Sequence, residues 1–119
     1  MLAGRRILVV EDEAAIALDL QEALHDSDAA VVGPVGTAFE ALAEIEGNKI
    51  DCALLDIKLV DGDVTAVALA LEKLEVPIIF VTAYGEEGLP HGFEARPVVY
   101  KPYRQQELID LIASMFRSQ

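Results

Sequence analysis

Five short runs of apolar, largely β-branched residues recur along the chain, and each predicts a β-strand. The runs cover residues 7–10, 30–32, 52–55, 77–81 and 98–100. They are nearly continuous in apolar character instead of alternating with polar positions. This pattern is typical of strands that are covered on both faces of a parallel sheet. Helices are therefore expected on both sides of the sheet.

Four other stretches carry apolar residues at helical spacing, and each predicts an α-helix with one buried face. The first follows strand one, and the others are predicted over residues 37–46, 64–74 and 104–116. The predicted buried faces are, in chain order, Ile16, Leu20, Ala23 and Leu24; Phe39, Leu42 and Ile45; Val67, Leu71 and Leu74; Leu108, Leu111, Ile112 and Met115.

The last helix and the segment before the last strand depart from this regular scheme. Ile109 and Phe116 lie beside the buried stripe of the last helix, so this helix carries more apolar surface than one core contact requires. We expect it to form a partner surface, with a homodimer as one form. Between strands four and five, Gly85, Gly88 and Pro90 interrupt any long helix. A weak or loop-like fourth helix is predicted there.

Strands that alternate with helices over 119 residues predict one α/β domain over residues 1–119. Five strands fit the flavodoxin-like doubly wound parallel sheet with strand order 2-1-3-4-5. In such sheets the ligand site lies outside the carboxyl ends of the strands, where the strand order reverses. That edge of the sheet is where functional residues are expected.

Polar residues with complementary chemistry follow four of the predicted strands. Glu11 and Asp12 follow strand one, Asp56 follows strand three, Thr82 ends strand four and Lys101 follows strand five. Three carboxylates at neighbouring strand ends repel one another unless a proton or a cation lies among them. All-oxygen ligation suits a hard ion such as Mg²⁺, and an ammonium with a hydroxyl can bind the oxygens of a phosphoryl group. The set favours phosphorylation of a carboxylate.

Each of these residues also has a purely structural interpretation. Asp12 is a plausible cap of the first helix, and Asp56 is a plausible turn residue. Thr82 fits an ordinary strand end, and Lys101 fits a solvated surface lysine. Those interpretations do not account for the placement of all four at one edge of the sheet.

Composition narrows the class of protein. The chain is 53% apolar, enough for a core without metals or disulfides, and its 21 acids and 9 bases give a net charge of -12. That charge repels nucleic-acid backbones and anionic membranes, and the sequence has no apolar run long enough to cross a bilayer. The single cysteine, Cys52, favours a cytoplasmic location and a structural role in the core.

Four motifs carry a resemblance to a known family. They are Ile7-Leu8-Val9-Val10-Glu11-Asp12-Glu13, Leu54-Leu55-Asp56, Val81-Thr82-Ala83 and Tyr100-Lys101-Pro102-Tyr103. In this order and spacing they resemble the receiver domains of two-component response regulators. The resemblance covers the whole chain and implies a signalling module that acts on no external metabolite and catalyses only its own phosphorylation and dephosphorylation.

The resemblance also implies a role for each site residue. Asp56 would accept a phosphoryl group from a histidine kinase or a phosphotransfer protein. Mg²⁺ would be held by Asp12 and Asp56, by Glu11 directly or through water, and by the backbone carbonyl of Lys58. Thr82 and Lys101 would bind the phosphoryl oxygens, and the Lys101–Pro102 bond would be cis. Output would pass to an unknown downstream protein.

Two positions depart from the common pattern of the family, and one motif resembles that of a subgroup. Glu11 replaces the commoner Asp, and Val98 stands where a Tyr or Phe switch residue is usual. Phe80-Val81-Thr82-Ala83-Tyr84 resembles the Phe-Ala-Thr-Gly-Tyr motif of a subgroup of stand-alone receivers. Tyr84 is therefore a candidate reporter of any conformational change.

Three other functions remain open at this point. A haloacid-dehalogenase-like phosphatase also uses an Asp nucleophile with Mg²⁺, but that mechanism wants a second acid where Lys58 stands. A flavin-binding carrier is opposed by the acids where a phosphate-binding loop would lie. A phosphate sink or relay intermediate would use the same site as a signalling receiver.

Overall fold

The protein is described here by a computed structural model, which covers residues 2–59, 62–83 and 88–117. Its elements are, in chain order, β1 (Arg6–Val10), α1 (Ala14–Asp26), β2 (Ala30–Val35), α2 (Ala38–Gly47), β3 (Cys52–Asp56), β4 (Lys58–Leu59), β5 (Gly62–Asp63), α3 (Thr65–Lys73), β6 (Ile78–Thr82), β7 (Val98–Tyr100) and α4 (Gln105–Arg117).

Five of the strands form one parallel sheet in the order β2-β1-β3-β6-β7. Counted along the chain, these are strands 2-1-3-4-5, which confirms the predicted order and fold class. The order reverses between β1 and β3, which are paired with Val10 opposite Leu55. The residues that follow these two strands therefore emerge side by side at the carboxyl edge.

The sheet separates two apolar cores. Alternate strand residues such as Leu8, Leu55 and Phe80 pack on one face with α2 and α3. Their neighbours, such as Val9 and Leu54, pack on the other face with α1 and α4. Both faces of the sheet are covered, which is why the strand sequences read as continuous apolar runs.

Two residues assigned to the buried helix faces are exposed. Phe39 is 78% exposed because α2 turns Ala41 and Ile45 toward the sheet, and Phe39 lies two residues from Ala41, on the opposite side of the helix. Leu74 is 59% exposed because α3 ends at Lys73, so Leu74 follows the last helical turn. Both predictions of burial were wrong.

The buried face of α4 is rotated from the predicted one. Leu108, Ile109, Ile112 and Ala113 are buried, whereas Leu111 and Met115 are half-buried at the edge of the core. Ile109 is therefore a core residue. Phe116 is half-buried, and the guanidinium of Arg5 lies 4.2 Å from its ring centroid.

The expected apolar surplus on the last helix is thus wrong for Ile109, and Phe116 is partly covered. The exposed apolar surface that was expected to support a homodimer through α4 is therefore smaller than predicted.

The segment before β7 has no α-helix over residues 88–97, as predicted. It is nevertheless anchored, because Phe93 is 1% exposed and Pro90 is buried.

The sequence did not predict the two-residue strands β4 and β5, which pair antiparallel with Lys58 opposite Asp63. Within the described ranges, no helix is both long and apolar enough to cross a bilayer.

Candidate functional site

The predicted site residues meet at the carboxyl edge of the sheet. Glu11 follows β1, Asp56 ends β3, Thr82 ends β6 and Lys101 follows β7. Parallel strand pairing brings these residues together, because Asp56 lies opposite Val81 and Thr82 lies opposite Tyr100. Lys101 extends the pairing by one bond, its N–H donating to the Thr82 carbonyl at 2.8 Å.

Three carboxylates form a compact cluster at this edge. One carboxylate oxygen from each of Glu11, Asp12 and Asp56 lies within 4.8 Å of the other two. Glu11 and Asp56 are buried, and Asp12 is exposed. Asp12 does not cap α1, because the N-cap residue is Glu13 and its side chain makes no capping hydrogen bond. The capping interpretation of Asp12 is therefore wrong.

The Lys101 ammonium lies among these acids. Its Nζ is 2.8 Å from Glu11 Oε1, 3.5 Å from Asp56 Oδ2 and 3.6 Å from Glu13 Oε1. The Lys101 side chain is only 9% exposed, so these ion pairs are partly shielded from water. Lys101 is therefore not a solvated surface lysine. The Lys101–Pro102 bond is cis, as the family resemblance implied.

Both oxygens of Glu11 are engaged by the protein itself. Oε1 pairs with Lys101, and Oε2 accepts a hydrogen bond from the Glu13 N–H at 3.1 Å. The extra methylene of Glu, compared with Asp, places this carboxylate where it bridges the lysine and the start of α1. Glu11 is consequently the principal counterion of Lys101.

Burial and the neighbouring acid make Asp56 a weak acid. Burial raises the pKa of Asp56 to about 7, aided by hydrogen bonding and charge repulsion from Glu11. Lys101 and the Lys58 N–H, which donates to Asp56 Oδ1 at 3.2 Å, act in the opposite direction. For Lys101, burial alone would lower the pKa, but Glu11 and Asp56 outweigh that effect and raise it.

A small cavity of about 200 Å³ opens on this cluster. Its walls are formed by Asp12, Glu13, Asp56, Lys58, Ala83 and Lys101. An ion and a phosphoryl group entering this cavity would contact Asp56 directly.

Thr82 is completely buried at the end of β6, and Tyr84 lies outside the described residues.

The donor set fits a hard divalent cation. Asp12 and Asp56 offer carboxylate oxygens to the cavity, and oxygen ligands suit Mg²⁺. Lys58 also lines the cavity. Glu11 fits a role beside the ion better than direct ligation, because both of its oxygens already have partners.

Sequence reasoning missed the role of Glu13, whose side chain reaches Lys101. The available signal was its place directly after the acid pair, at the same edge as the lysine.

The fold and the residues at its edge define a receiver-type domain. The family model described as response regulator receiver domain matches residues 7–113. The chain belongs to this family, whose members are phosphorylatable signalling modules of two-component systems.

The relatives agree with this assignment. The transcriptional regulatory protein PdtaR of Mycobacterium tuberculosis is 33% identical over 95% of this chain and 58% of its own length. The phyllosphere-induced regulator PhyR of Methylorubrum extorquens is 35% identical over 90% of this chain and 42% of its own length. The chain therefore spans about half the length of these curated relatives.

Among solved structures, SdrG from Sphingomonas melonis Fr1 is 36% identical with a TM-score of 0.82, and the match covers 94% of this chain and 96% of SdrG.

Proposed function

We propose that Asp56 is the phosphoacceptor of this receiver domain, which we take to extend over residues 1–119. A carboxylate oxygen of Asp56 attacks the phosphorus of a phosphohistidine on a histidine kinase or a phosphotransfer protein. The P–O bond forms as the P–N bond breaks, and the electron pair returns to the imidazole. The observation that carries this proposal is the position of Asp56, which faces a cavity shared with Asp12 and Lys101.

Mg²⁺ fits the acid cluster, and Asp12, Asp56 and the Lys58 carbonyl would hold it, with Glu11 beside them. When bound, the ion supplies positive charge that offsets the charge of the phosphoryl oxygens. Phosphoryl transfer needs little beyond alignment and such neutralisation, and no base is required to activate an ionised Asp56.

Lys101 is the protein's own cation at this site. Its Nζ lies 3.5 Å from Asp56 Oδ2, so a phosphoryl group on Asp56 would lie within its reach. That contact would compete with its 2.8 Å pairing with Glu11. Thr82 would supply a hydroxyl from the adjoining strand end after a change of rotamer, because it is fully buried here.

The output of this domain is proposed to be a change in protein contacts. Phosphorylation adds roughly 1.5 to 2 negative charges to an already acidic edge, which suits a switch of binding partner. In this proposal the signal passes from the phosphorylated domain to a downstream protein. It also places the domain in the cytoplasm, consistent with the buried free thiol of Cys52.

The experiment is intact-mass analysis after incubation with Mg²⁺ and acetyl phosphate. We expect one labile phosphoryl adduct on the wild type and none on Asp56→Asn, because an amide lacks a nucleophilic carboxylate oxygen. Asp26→Asn, which changes an exposed acid in the last turn of α1, is the matched control and should be labelled like the wild type. Labelling of Asp56→Asn at the wild-type rate would show that another residue is the acceptor.

A further inference from the structure

Glu13 lies where two cavities adjoin. It lines the acceptor cavity together with Asp56 and Lys101. It also lines a neighbouring groove of about 510 Å³, whose other walls include Asp19 and Tyr103. Glu13 is therefore placed to affect the acceptor site from the solvent side.

The Lys101 ammonium contacts three carboxylates in the described part of the chain. Glu11 and Asp56 are buried partners and belong to the site already described. Glu13 is different, because its side chain is 63% exposed and lies 3.6 Å from Nζ. It is the partner that can be altered without changing the acid cluster itself.

The ion pair has a consequence for phosphoryl transfer. A phosphoryl group arriving at Asp56 competes for the same ammonium that Glu11 and Glu13 hold. If Nζ moves away from Glu13 to contact phosphoryl oxygens, the attraction to Glu13 stabilises the unphosphorylated arrangement more than the phosphorylated one. An interaction that is stronger in the ground state than in the transition state slows the reaction.

We propose that Glu13 is a positioning residue that restrains Lys101 and thereby slows phosphorylation of Asp56. This inference rests on the proposed function. Because Glu13 is largely exposed, its ion pair is weak, and releasing it should accelerate labelling by about 2-fold to 5-fold.

The test compares initial labelling rates with acetyl phosphate and saturating Mg²⁺. Acetyl phosphate transfers its phosphoryl group as its P–O bond to acetate breaks and acetate leaves with the electron pair. Glu13→Gln removes the charge, and Glu13→Asp keeps the charge but shortens the side chain by one methylene. Glu13→Gln should be labelled about 2-fold to 5-fold faster than the wild type, and the Glu13→Asp rate should lie between the two because its carboxylate is farther from Nζ.

Asp19→Asn is the matched control, because Asp19 lines the same groove and is not among the carboxylate partners of Lys101 given above. Like Glu13→Gln, it removes one negative charge beside the path by which the anionic donor approaches. It should nevertheless leave the labelling rate near that of the wild type. Raising the salt concentration should bring the Glu13→Gln and wild-type rates together, since salt screens an exposed ion pair. A merely structural role of Glu13 would not produce that convergence.

The outcomes separate this inference from the proposed function. No adduct on the wild type, or labelling of Asp56→Asn, would reject the proposed function. Labelled wild type with an equal or slower Glu13→Gln rate would reject the role of Glu13 alone. The same rejection follows if Asp19→Asn accelerates labelling as much as Glu13→Gln, since the loss of any negative charge near the donor's path would then explain the data.

Discussion

Phe93 meets Phe80 edge to face, with ring centroids 6.1 Å apart and ring planes at 78°. Phe80 belongs to β6, two residues before Thr82, and Phe93 belongs to the irregular segment that precedes β7. The contact therefore joins this segment to the strand that ends at the functional site. Aromatic pairs of this geometry add stability beyond the area that they bury.

Removing the Phe93 ring should destabilise the fold. We expect Phe93→Ala to lower the free energy of unfolding by about 3–5 kcal/mol, because it leaves a cavity against Phe80. Chemical denaturation of the two proteins measures the difference. Phe39→Ala is the matched control, since Phe39 is 78% exposed, and it should change stability by about 0.5 kcal/mol or less. Equal effects of the two substitutions would show that Phe93 does not anchor the segment.

A methyl group on Gly88 has no room. A Cβ at this position would lie 2.6 Å from Cγ2 of Ile57, which is 2% exposed and directly follows Asp56. We expect Gly88→Ala to destabilise the protein by about 1–3 kcal/mol, because a branched core side chain must move. In denaturant melts, Gly47→Ala should instead be neutral or stabilising, since nothing lies within 4 Å of that position. A stable Gly88→Ala protein would mean that the two segments separate easily.

The raised pKa of Asp56 makes stability depend on pH when no divalent cation is bound. The folded state holds the Asp56 proton more tightly than the unfolded chain does, so this stabilisation is complete below about pH 4. It is lost as the pH rises through the folded pKa of about 7.

Asp56→Asn abolishes this loss because an amide does not ionise. Its stability relative to the wild type should therefore increase between pH 5 and pH 8, by roughly 1–3 kcal/mol. Denaturation curves in chelator at the two pH values test this, and adding Mg²⁺ at pH 8 should stabilise the wild type only. A stability difference that is independent of pH would contradict the raised pKa.

Asp12 is expected to contribute to metal binding and not to the helix. Asp12→Ala should weaken Mg²⁺ binding by about 10-fold or more in calorimetric titration, because it deletes a carboxylate ligand. Without metal, its thermal stability should match or slightly exceed that of the wild type, since repulsion within the acid cluster is reduced. Asp26→Ala, at the other end of α1, is the control for a lost surface charge. Unchanged Mg²⁺ affinity in Asp12→Ala would remove Asp12 from the site.

The order of the strands and the place of the site followed from the sequence. Continuous apolar runs identify strands that are covered on both faces, and parallel strands bring their carboxyl ends to one edge. Glu11, Asp56 and Lys101 could therefore be expected to meet before any coordinates were known. Spacing along the chain was sufficient because these relationships depend on strand direction and neighbour order alone.

Tertiary packing decided the rotation of each helix and the reach of each side chain. Ile109 and Phe39 were misplaced because several apolar faces fit a helical repeat, and only contact with the sheet selects one. The 2.8 Å pairing of Lys101 with Glu11, and its contact with Glu13, depend on distances of a few ångströms between separate strands. Such distances are set by the packing of the whole domain, so the sequence indicates which residues share an edge of the sheet but not which of them form contacts.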